Sequence, residues 1–288
     1  MAKFKNKSHF NKKSPSKSSS SSKVNNLISK LSQYFSFLKW FDPFTYVDMF
    51  VMPQVKKINN SEVLEFIVNV LFALIFAWAI YTILGILFNN STPLVIVYSA
   101  SMENTFFRGD VMGLTKAVDA DNFGEVVFLN RNIKSVPTIE FVSPIYSETK
   151  LSGFLFKNSI SSTNEVSLTK SGSVIVYPAF NPSSSDNGKP IIHRAVVKLV
   201  ALDGNFVLTK GDNSITNSTF DQDCGVINQN FSFSEKPCIT LYATPVSEVA
   251  GKAFFRIPLV GCVKLWLIDD FLSVITTGKL PRDFKGIC

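Results

Sequence analysis

An uncharged stretch of 23 residues, Phe66 to Phe88, constrains the fold of this chain more than any other feature. Only Asn69 and Thr82 within it are distinctly polar. As an α-helix, rising about 1.5 Å per residue, this stretch is long enough to span a hydrocarbon core of about 30 Å. A buried helix of a soluble protein rarely lacks a polar face over this length, and a cleaved signal peptide is shorter and lies nearer the N-terminus. We therefore predict a membrane anchor over residues 64–88.

The net charge of +7 belongs to one end of the chain. Residues 1–57 hold eleven lysines against two aspartates, whereas residues 89–288 hold eighteen basic and eighteen acidic side chains. The larger part is therefore neutral, and we predict no nucleic-acid partner. Lys56 and Lys57 precede the anchor, and the next basic residue after it is Arg108. The positive-inside rule then predicts a single-pass protein of the cell membrane, with the N-terminus cytoplasmic and residues 89–288 outside.

Two kinds of sequence precede the anchor, within residues 1–55. Residues 1–23 are dominated by lysine, asparagine and serine, a composition that predicts a disordered tail. Residues 24–55 are mixed and aromatic, and Asp42, Pro43 and Asp48 argue against a second span there. We interpret them as an amphipathic juxtamembrane segment on the membrane surface, or alternatively as a helix packed on the folded domain.

Beyond the anchor, short β-like segments alternate with turns, which predicts a mainly β domain over residues 89–288. These segments are Val111–Leu114, Glu125–Leu129, Ser173–Tyr177, Ile191–Val200 and Asn205–Thr209. Residues 130–171 are rich in serine, threonine and asparagine, and we interpret them as an insertion of undetermined structure.

Two serines, Ser99 and Ser101, directly follow the strand-like run Pro93–Tyr98. A serine at a strand end can act as a nucleophile, and a nearby hydroxyl or backbone N–H can stabilise the resulting oxyanion. His193 is the only histidine outside the tail. A lone histidine in an apolar strand is more often a core residue, but imidazole titrates near pH 6.5 and suits a general base at neutral pH.

Several segments, in order along the chain, resemble the type I signal peptidases of the archaeal and endoplasmic-reticulum type. The segments are Ser-x-Ser-Met at 99–102, Pro-Ile-Ile-His-Arg at 190–194, Thr-Lys-Gly-Asp-Asn at 209–213, an acidic stretch at 221–225 and a closing strand at 249–261. Asn104 stands where the family usually has proline, and extra residues at 215–219 displace the acidic stretch.

The resemblance implies a signal-peptidase-like β catalytic domain with an N-terminal transmembrane helix. The protein would be a serine endopeptidase, a hydrolase that removes signal peptides from exported preproteins and needs no cofactor or metal. Its partners would be preprotein signal peptides and membrane lipid, with accessory membrane subunits left open. The signal peptide would bind as an added strand.

The resemblance also implies roles for individual residues. Ser101 would be the nucleophile, and its N–H would form the oxyanion hole with the Ser99 hydroxyl. His193 would be the general base, as histidine replaces the lysine base of the bacterial enzymes. Alignment on Gly225 assigns Asp223 as the carboxylate that orients His193.

Two further aspartates and two other functions stay open. The extra residues leave Asp221 as an alternative to Asp223, and we expect Asp212 to organise its turn. The alternative functions are a non-catalytic membrane-anchored β domain for surface binding or assembly, and a serine peptidase with Lys189 or Lys210 as base.

Cysteines and the apolar C-terminal region permit three more predictions. A disulfide between Cys224 and Cys238 is chemically allowed outside the cytoplasm, whereas Cys262 and Cys288 are expected to be free. With one histidine in the folded part, a zinc site is not expected. Residues 257–268 are apolar but short, and we interpret them as a strand running into a membrane-apposed segment. A second anchor that extends to Ile275 is the alternative.

Overall fold

The computed structural model describes residues 42–58, 61–157, 165–181, 187–224 and 238–280. These residues belong to two compact units that divide between Ala79 and Ile80. The tail predicted over residues 1–23 lies outside the described residues, as does the juxtamembrane segment before Asp42.

Helices form the first part of the described chain. Helix α1 (Pro43–Tyr46) begins after an Asp42 N-cap and continues through a π-helical turn (Val47–Val51) into α2 (Met52–Ile58). Helix α3 (Glu62–Leu87) has a mean hydropathy of 2.5 in its most apolar window and no buried residue. Within the described ranges it is the one helix long and apolar enough to cross a membrane, which confirms the predicted apolar helix.

The second unit is mainly β, as predicted. Its large sheet has the strand order β1-β2-β11-β7-β8-β9-β10, with neighbours antiparallel, and β3 pairs with β8 in parallel. The strands of this sheet are β1 (Leu94–Ile96), β2 (Val111–Thr115), β3 (Glu125–Phe128), β7 (Val174–Pro178), β8 (Pro190–Ala201), β9 (Gly204–Lys210), β10 (Thr244–Pro245) and β11 (Gly251–Ile257).

Residues 130–171, interpreted from the sequence as an insertion, contain a second antiparallel sheet. It consists of β4 (Val142–Ser147), β5 (Lys150–Phe156) and β6 (Glu165–Ser167). Phe141, Phe154 and Phe156 from this region are buried in one cluster with Val127 and Phe220 of the large-sheet region. The apolar residues scattered in this polar sequence therefore complete the core.

Strand β8 is the longest of the described strands and carries His193. On one edge it pairs with β7, where His193 lies opposite Ile175. On the other edge its pairing with β9 begins only at Arg194, opposite Lys210. Pro190 to His193 therefore have no strand partner on that edge within the described residues.

The chain after β11 is helical rather than extended. Helix α4 (Cys262–Lys264), a π-helical stretch (Leu265–Asp270) and α5 (Phe271–Thr277) follow one another without interruption. Their large apolar side chains are mostly exposed, among them Trp266, Leu267 and Phe271.

Two cysteine predictions can be compared with the structure. Cys224 and Cys238 form a disulfide across 14 residues, as the sequence allowed. Cys262 is also disulfide-bonded, so the prediction that this cysteine is free is wrong. Short-range sequence pattern carries no information about which distant thiols meet. Cys288 lies outside the described residues.

Candidate active site

Ser101 and His193 line the same cavity, of about 550 Å³. Ser101 lies in the turn that follows β1 and is partly exposed, whereas His193 on β8 is 2% exposed. The Ser99 and Ser101 hydroxyl oxygens are 3.0 Å apart. The remaining walls are mostly apolar and come chiefly from β1 and from the start of β8.

The loop after β9 holds the backbone of the serine turn. Asn213 donates its backbone N–H to the Ser101 carbonyl and its side-chain amide to the Ala100 carbonyl, both over 2.9 Å. A Cβ at Gly211 would lie 2.7 Å from the Ser101 carbonyl oxygen, too close for any side chain. Glycine at this position therefore permits the close approach of the two segments.

Asp212 connects this loop to β8 and to the serine turn, away from His193. Arg194 donates to both carboxylate oxygens, over 2.9 and 2.7 Å, and the Thr105 hydroxyl donates over 2.5 Å. Burial favours the neutral acid, but the Arg194 and Thr105 hydrogen bonds and the Arg194 charge outweigh it and lower the pKa of Asp212. The carboxylate is thus ionised and fully engaged in holding the loop.

The carboxylate that contacts His193 is Asp221. Its Oδ2 lies 2.7 Å from Nδ1 of His193, and both side chains are almost completely buried. Burial alone would raise the pKa of Asp221, but the charge and hydrogen bond of His193 help to lower it below its usual value. An ionised Asp221 accepts the Nδ1 proton and leaves Nε2 of His193 as the free base.

Asp223, which the sequence alignment assigned to this role, occupies a different position. Its Oδ2 accepts hydrogen bonds from the Thr219 hydroxyl over 2.7 Å and from the Tyr146 hydroxyl over 3.1 Å. The assignment of Asp223 as the carboxylate on His193 is therefore wrong in geometry, and the alternative, Asp221, makes the contact. Alignment on the glycine failed because the backbone around Phe220 folds to place the earlier aspartate inward.

A buried tyrosine that sequence reasoning missed also contacts Asp221. The Tyr177 hydroxyl donates to Asp221 Oδ2 over 2.7 Å, and Tyr177 is completely buried. The signal for it was a phenolic group in an otherwise aliphatic strand, because a buried tyrosine hydroxyl needs a partner.

The two lysines considered as a base are Lys210, which is bound to backbone carbonyls, and Lys189, at the surface. The Lys210 ammonium donates to the carbonyls of Gly211 and Asn217, over 2.9 and 2.7 Å. Burial lowers the pKa of Lys210, although the charges of Asp221 and Asp212 counteract this. Lys189 is exposed. The geometry therefore favours His193 as the base.

Known proteins provide a comparison for this arrangement. A SEC11 signal peptidase complex catalytic subunit of Coccidioides posadasii is 28% identical over 167 residues, which are 58% of this chain and 70% of that protein. The sec11 subunit of Schizosaccharomyces pombe is 24% identical over 227 residues, 78% of this chain and 94% of its own length. A third SEC11 subunit, from Ajellomyces capsulatus, is 28% identical over 95 residues, 33% of this chain and about half (51%) of that relative. No family model matches the chain.

These similarities support the resemblance of the chain to the type I signal peptidases of the archaeal and endoplasmic-reticulum type. Such enzymes are serine endopeptidases, and the apolar helix α3 agrees with a membrane protein. Of the residues chosen from the sequence, the fold brings Ser101, His193 and Asp221 to one region, whereas Asp212 and Asp223 have other partners.

Proposed function

We propose that this signal peptidase is a membrane-bound serine endopeptidase that removes signal peptides from exported preproteins, with Ser101, His193 and Asp221 as its catalytic residues. The observation that carries the proposal is the 2.7 Å contact between His193 Nδ1 and Asp221, on a histidine that shares a cavity with Ser101. A buried carboxylate on the far imidazole nitrogen is the arrangement by which a Ser-His-Asp triad orients its general base.

The chemistry follows from this geometry. Nε2 of His193 removes the Ser101 proton as Oγ attacks the scissile carbonyl, and Asp221 stabilises the imidazolium that forms. The imidazolium then gives its proton to the leaving amine, and a water molecule hydrolyses the resulting acyl-enzyme by the same steps. The Ser99 and Ser101 hydroxyls are hydrogen-bonded to each other and either one can donate, so with Ser99 as the donor the Ser101 proton would be available to His193.

The oxyanion would be stabilised by two donors at the serine turn. The Ala100 carbonyl accepts a hydrogen bond from the Asn213 side-chain amide over 2.9 Å, which fixes the peptide plane that carries the Ser101 N–H. Within the described residues, the Ser101 N–H donates to no other group, and the Ser99 hydroxyl lies beside it. Donors that are positioned in advance stabilise developing charge without reorganisation.

The substrate would bind in extended form between two strand edges. Strand β1 lies at the end of the large sheet, and residues 190–193 of β8 have an edge that β9 does not cover. Both segments line the cavity. A peptide placed there can hydrogen-bond to backbone on either side, while the apolar wall accommodates its small side chains.

The place of action would be the outer face of the membrane, where a signal peptide emerges. By the lysine asymmetry, the N-terminus would be cytoplasmic and the catalytic unit extracytoplasmic, in a single-pass protein of the cell membrane. The organisation into a tail and juxtamembrane segment, an anchor at 64–88 and a catalytic domain at 89–288 belongs to this proposal. Because the relatives are named as subunits of a complex, accessory membrane subunits would be its partners.

Cleavage of a preprotein by the purified chain in detergent tests the proposal. Wild-type protein should release the mature product, whereas Ser101→Ala and His193→Ala should not. Lys210→Ala should retain activity if it folds. A wild-type chain that cleaves no preprotein would favour the non-catalytic β domain, and an active His193→Ala beside an inactive Lys210→Ala would favour the lysine base.

A further inference from the structure

Five buried groups form a continuous hydrogen-bonded chain behind the active site. It runs from Gln222 through Thr209, Tyr177 and Asp221 to His193, with distances of 3.1, 2.9, 2.7 and 2.7 Å along the path. Each of these side chains is at most 3% exposed. Three members, Gln222, Thr209 and Tyr177, have no role in the mechanism described above.

Gln222, the first group of this hydrogen-bonded series, determines the direction in which each following hydroxyl donates its proton. The Gln222 amide oxygen accepts the Thr209 backbone N–H over 3.1 Å, so its nitrogen must face the Thr209 hydroxyl and donate to it. The Thr209 hydroxyl then directs its own proton to the Tyr177 oxygen. Tyr177 is left with one acceptor, Asp221 Oδ2.

Burial keeps the Tyr177 hydroxyl neutral. Burial, with the Asp221 charge beside it, raises the pKa of Tyr177 well above its usual value near 10. The hydroxyl is therefore a permanent donor at any pH at which the enzyme works. Donors aligned in series polarise one another and strengthen the last bond of the chain.

We propose that Tyr177 is a positioning residue, which holds the Asp221 carboxylate in the orientation that accepts the His193 Nδ1 proton. Oδ2 receives both Tyr177 and His193, whereas Oδ1 is buried and has no hydrogen-bond partner in the part of the chain that the structure describes. Without the Tyr177 hydroxyl, the carboxylate would lose a hydrogen bond that holds its plane against the imidazole, and Oδ1 has no partner within the described residues to replace it. The bond from His193 Nδ1 would then be less well aligned, and the tautomer with Nε2 free would be less strongly favoured.

The expected effect of Tyr177 on kcat rests on the proposed function. The expected effect on the His193 tautomer does not. Tyr177→Phe keeps the ring and removes only the hydroxyl. We expect kcat for preprotein cleavage to fall about tenfold, as for one lost hydrogen bond to a charged group, with KM unchanged. Tyr146→Phe is the matched control, because it removes a tyrosine hydroxyl from Asp223 instead.

A second readout does not depend on activity. The chain has two histidines, so a full-length His9→Asn variant with ¹⁵N-labelled histidine reports on His193 alone. At alkaline pH, the nitrogen shifts should show the Nδ1–H tautomer, and Tyr177→Phe should increase the Nε2–H fraction while Tyr146→Phe should not. If Tyr177→Phe does not fold, Thr209→Val should shift both readouts in the same direction by a smaller amount.

The outcomes separate the two proposals. An unchanged tautomer ratio with kcat within twofold of wild type would overturn the role of Tyr177 and leave the proposed function intact. A wild-type chain that cleaves no preprotein, together with a tautomer shift in Tyr177→Phe, would overturn the function and retain the positioning. Equal losses in Tyr177→Phe and Tyr146→Phe would also overturn the inference, since a general effect of removing a tyrosine hydroxyl would explain them.

Discussion

Asp221 and Asp223 are separated by a single glutamine, yet only Asp221 contacts the histidine. Asp223 is held by Thr219 and Tyr146 instead. Between them, Gln222 binds Thr209 with both ends of its amide and fixes the backbone that directs the two aspartates to different partners. The neutral residue between the two aspartates is thus anchored to β9 by both ends of its side-chain amide.

Replacing the two aspartates separately tests this assignment. Asp221→Asn should fold but lose about 10⁴-fold in kcat, because an amide stabilises the wrong histidine tautomer and no imidazolium. Asp223→Asn should stay within a few-fold of wild type. Preprotein cleavage with thermal melting as the folding control would measure both, and an inactive Asp223→Asn beside an active Asp221→Asn would contradict the assignment.

The lowered pKa of Asp212 predicts that the free energy of unfolding depends on pH. Its pKa is lowered in the folded chain, so its ion pair with Arg194 stabilises the fold fully above the unfolded carboxyl pKa of about 3.9 and ceases to do so as pH falls through the folded value. Asp212→Asn should lower the free energy of unfolding by about 3 kcal/mol at pH 7.

Thermal melts across pH would measure this effect. The difference between wild type and Asp212→Asn should shrink steadily below about pH 4. Asp119→Asn, at an exposed position, is the control and should change stability by less than about 0.5 kcal/mol at any pH. If the difference in stability between wild type and Asp212→Asn instead grew as the pH fell, the ionised Asp212 would not be stabilising the fold.

Among the elements, the disulfide-linked segment matters most for the site. The Asp221 carbonyl accepts the N–H groups of Ile239 and Thr240, so the strand-like segment after Cys238 supports the aspartate directly. The Cys224–Cys238 bond closes a loop of 14 residues around this contact.

Removal of this disulfide should weaken both stability and activity. A closed loop of this length contributes about 3 kcal/mol by limiting the unfolded chain. The double variant Cys224→Ala/Cys238→Ala should melt at a lower temperature and cleave preprotein more slowly, with kcat affected more than KM. Equal melting temperatures and equal rates for variant and wild type would show that the disulfide is dispensable.

The C-terminal helical segment, residues 262–277, exposes several large apolar side chains. Trp266 is 60% exposed and Phe271 is 61% exposed, on a segment with few charges. The sequence predicted a membrane-apposed segment here, and helices that expose apolar faces bind at the lipid interface.

Tryptophan quenching tests the membrane contact of this segment. In a variant with Trp40→Phe and Trp78→Phe, Trp266 is the one remaining tryptophan of the three in the chain. Vesicles with brominated acyl chains should quench its fluorescence, and Trp266 should emit at shorter wavelength than in the denatured chain. Emission that stays long-wavelength and unquenched would place the segment in water.

At the scale of the whole molecule, charge is unevenly distributed along the chain. All of the net positive charge lies in the N-terminal 57 residues, and residues 89–288 are neutral overall. Lys56 and Lys57 precede the apolar helix, the next basic residue after it is Arg108, and basic residues close to a span favour the cytoplasmic side.

Protease protection tests this arrangement. Protease added outside right-side-out vesicles should digest the chain after Asn89 and spare an epitope in residues 1–57. Permeabilised vesicles, in which both sides are digested, are the control. If the intact vesicles protected the C-terminal unit, both the orientation and the site of action would have to be reversed.

Local pattern alone determined much of this protein. The anchor follows from 23 uncharged residues, and five strands follow from alternation and β-branching, since each depends on neighbours along the chain. Ser101 and His193 were identified by the resemblance of short segments around them to motifs of the type I signal peptidases. That resemblance, and not the local pattern alone, allowed the general class of enzyme to be inferred before any coordinates.

Only the tertiary structure decided which distant groups meet. His193 and Asp221 are 28 residues apart, and the intervening β9 and its loop determine which aspartate points inward. Tyr177 reaches Asp221 across 44 residues, and residues 130–171 join the core although their composition is polar. A shift of one residue reverses the direction of a side chain on extended backbone, so contacts of this kind depend on packing that no local pattern contains.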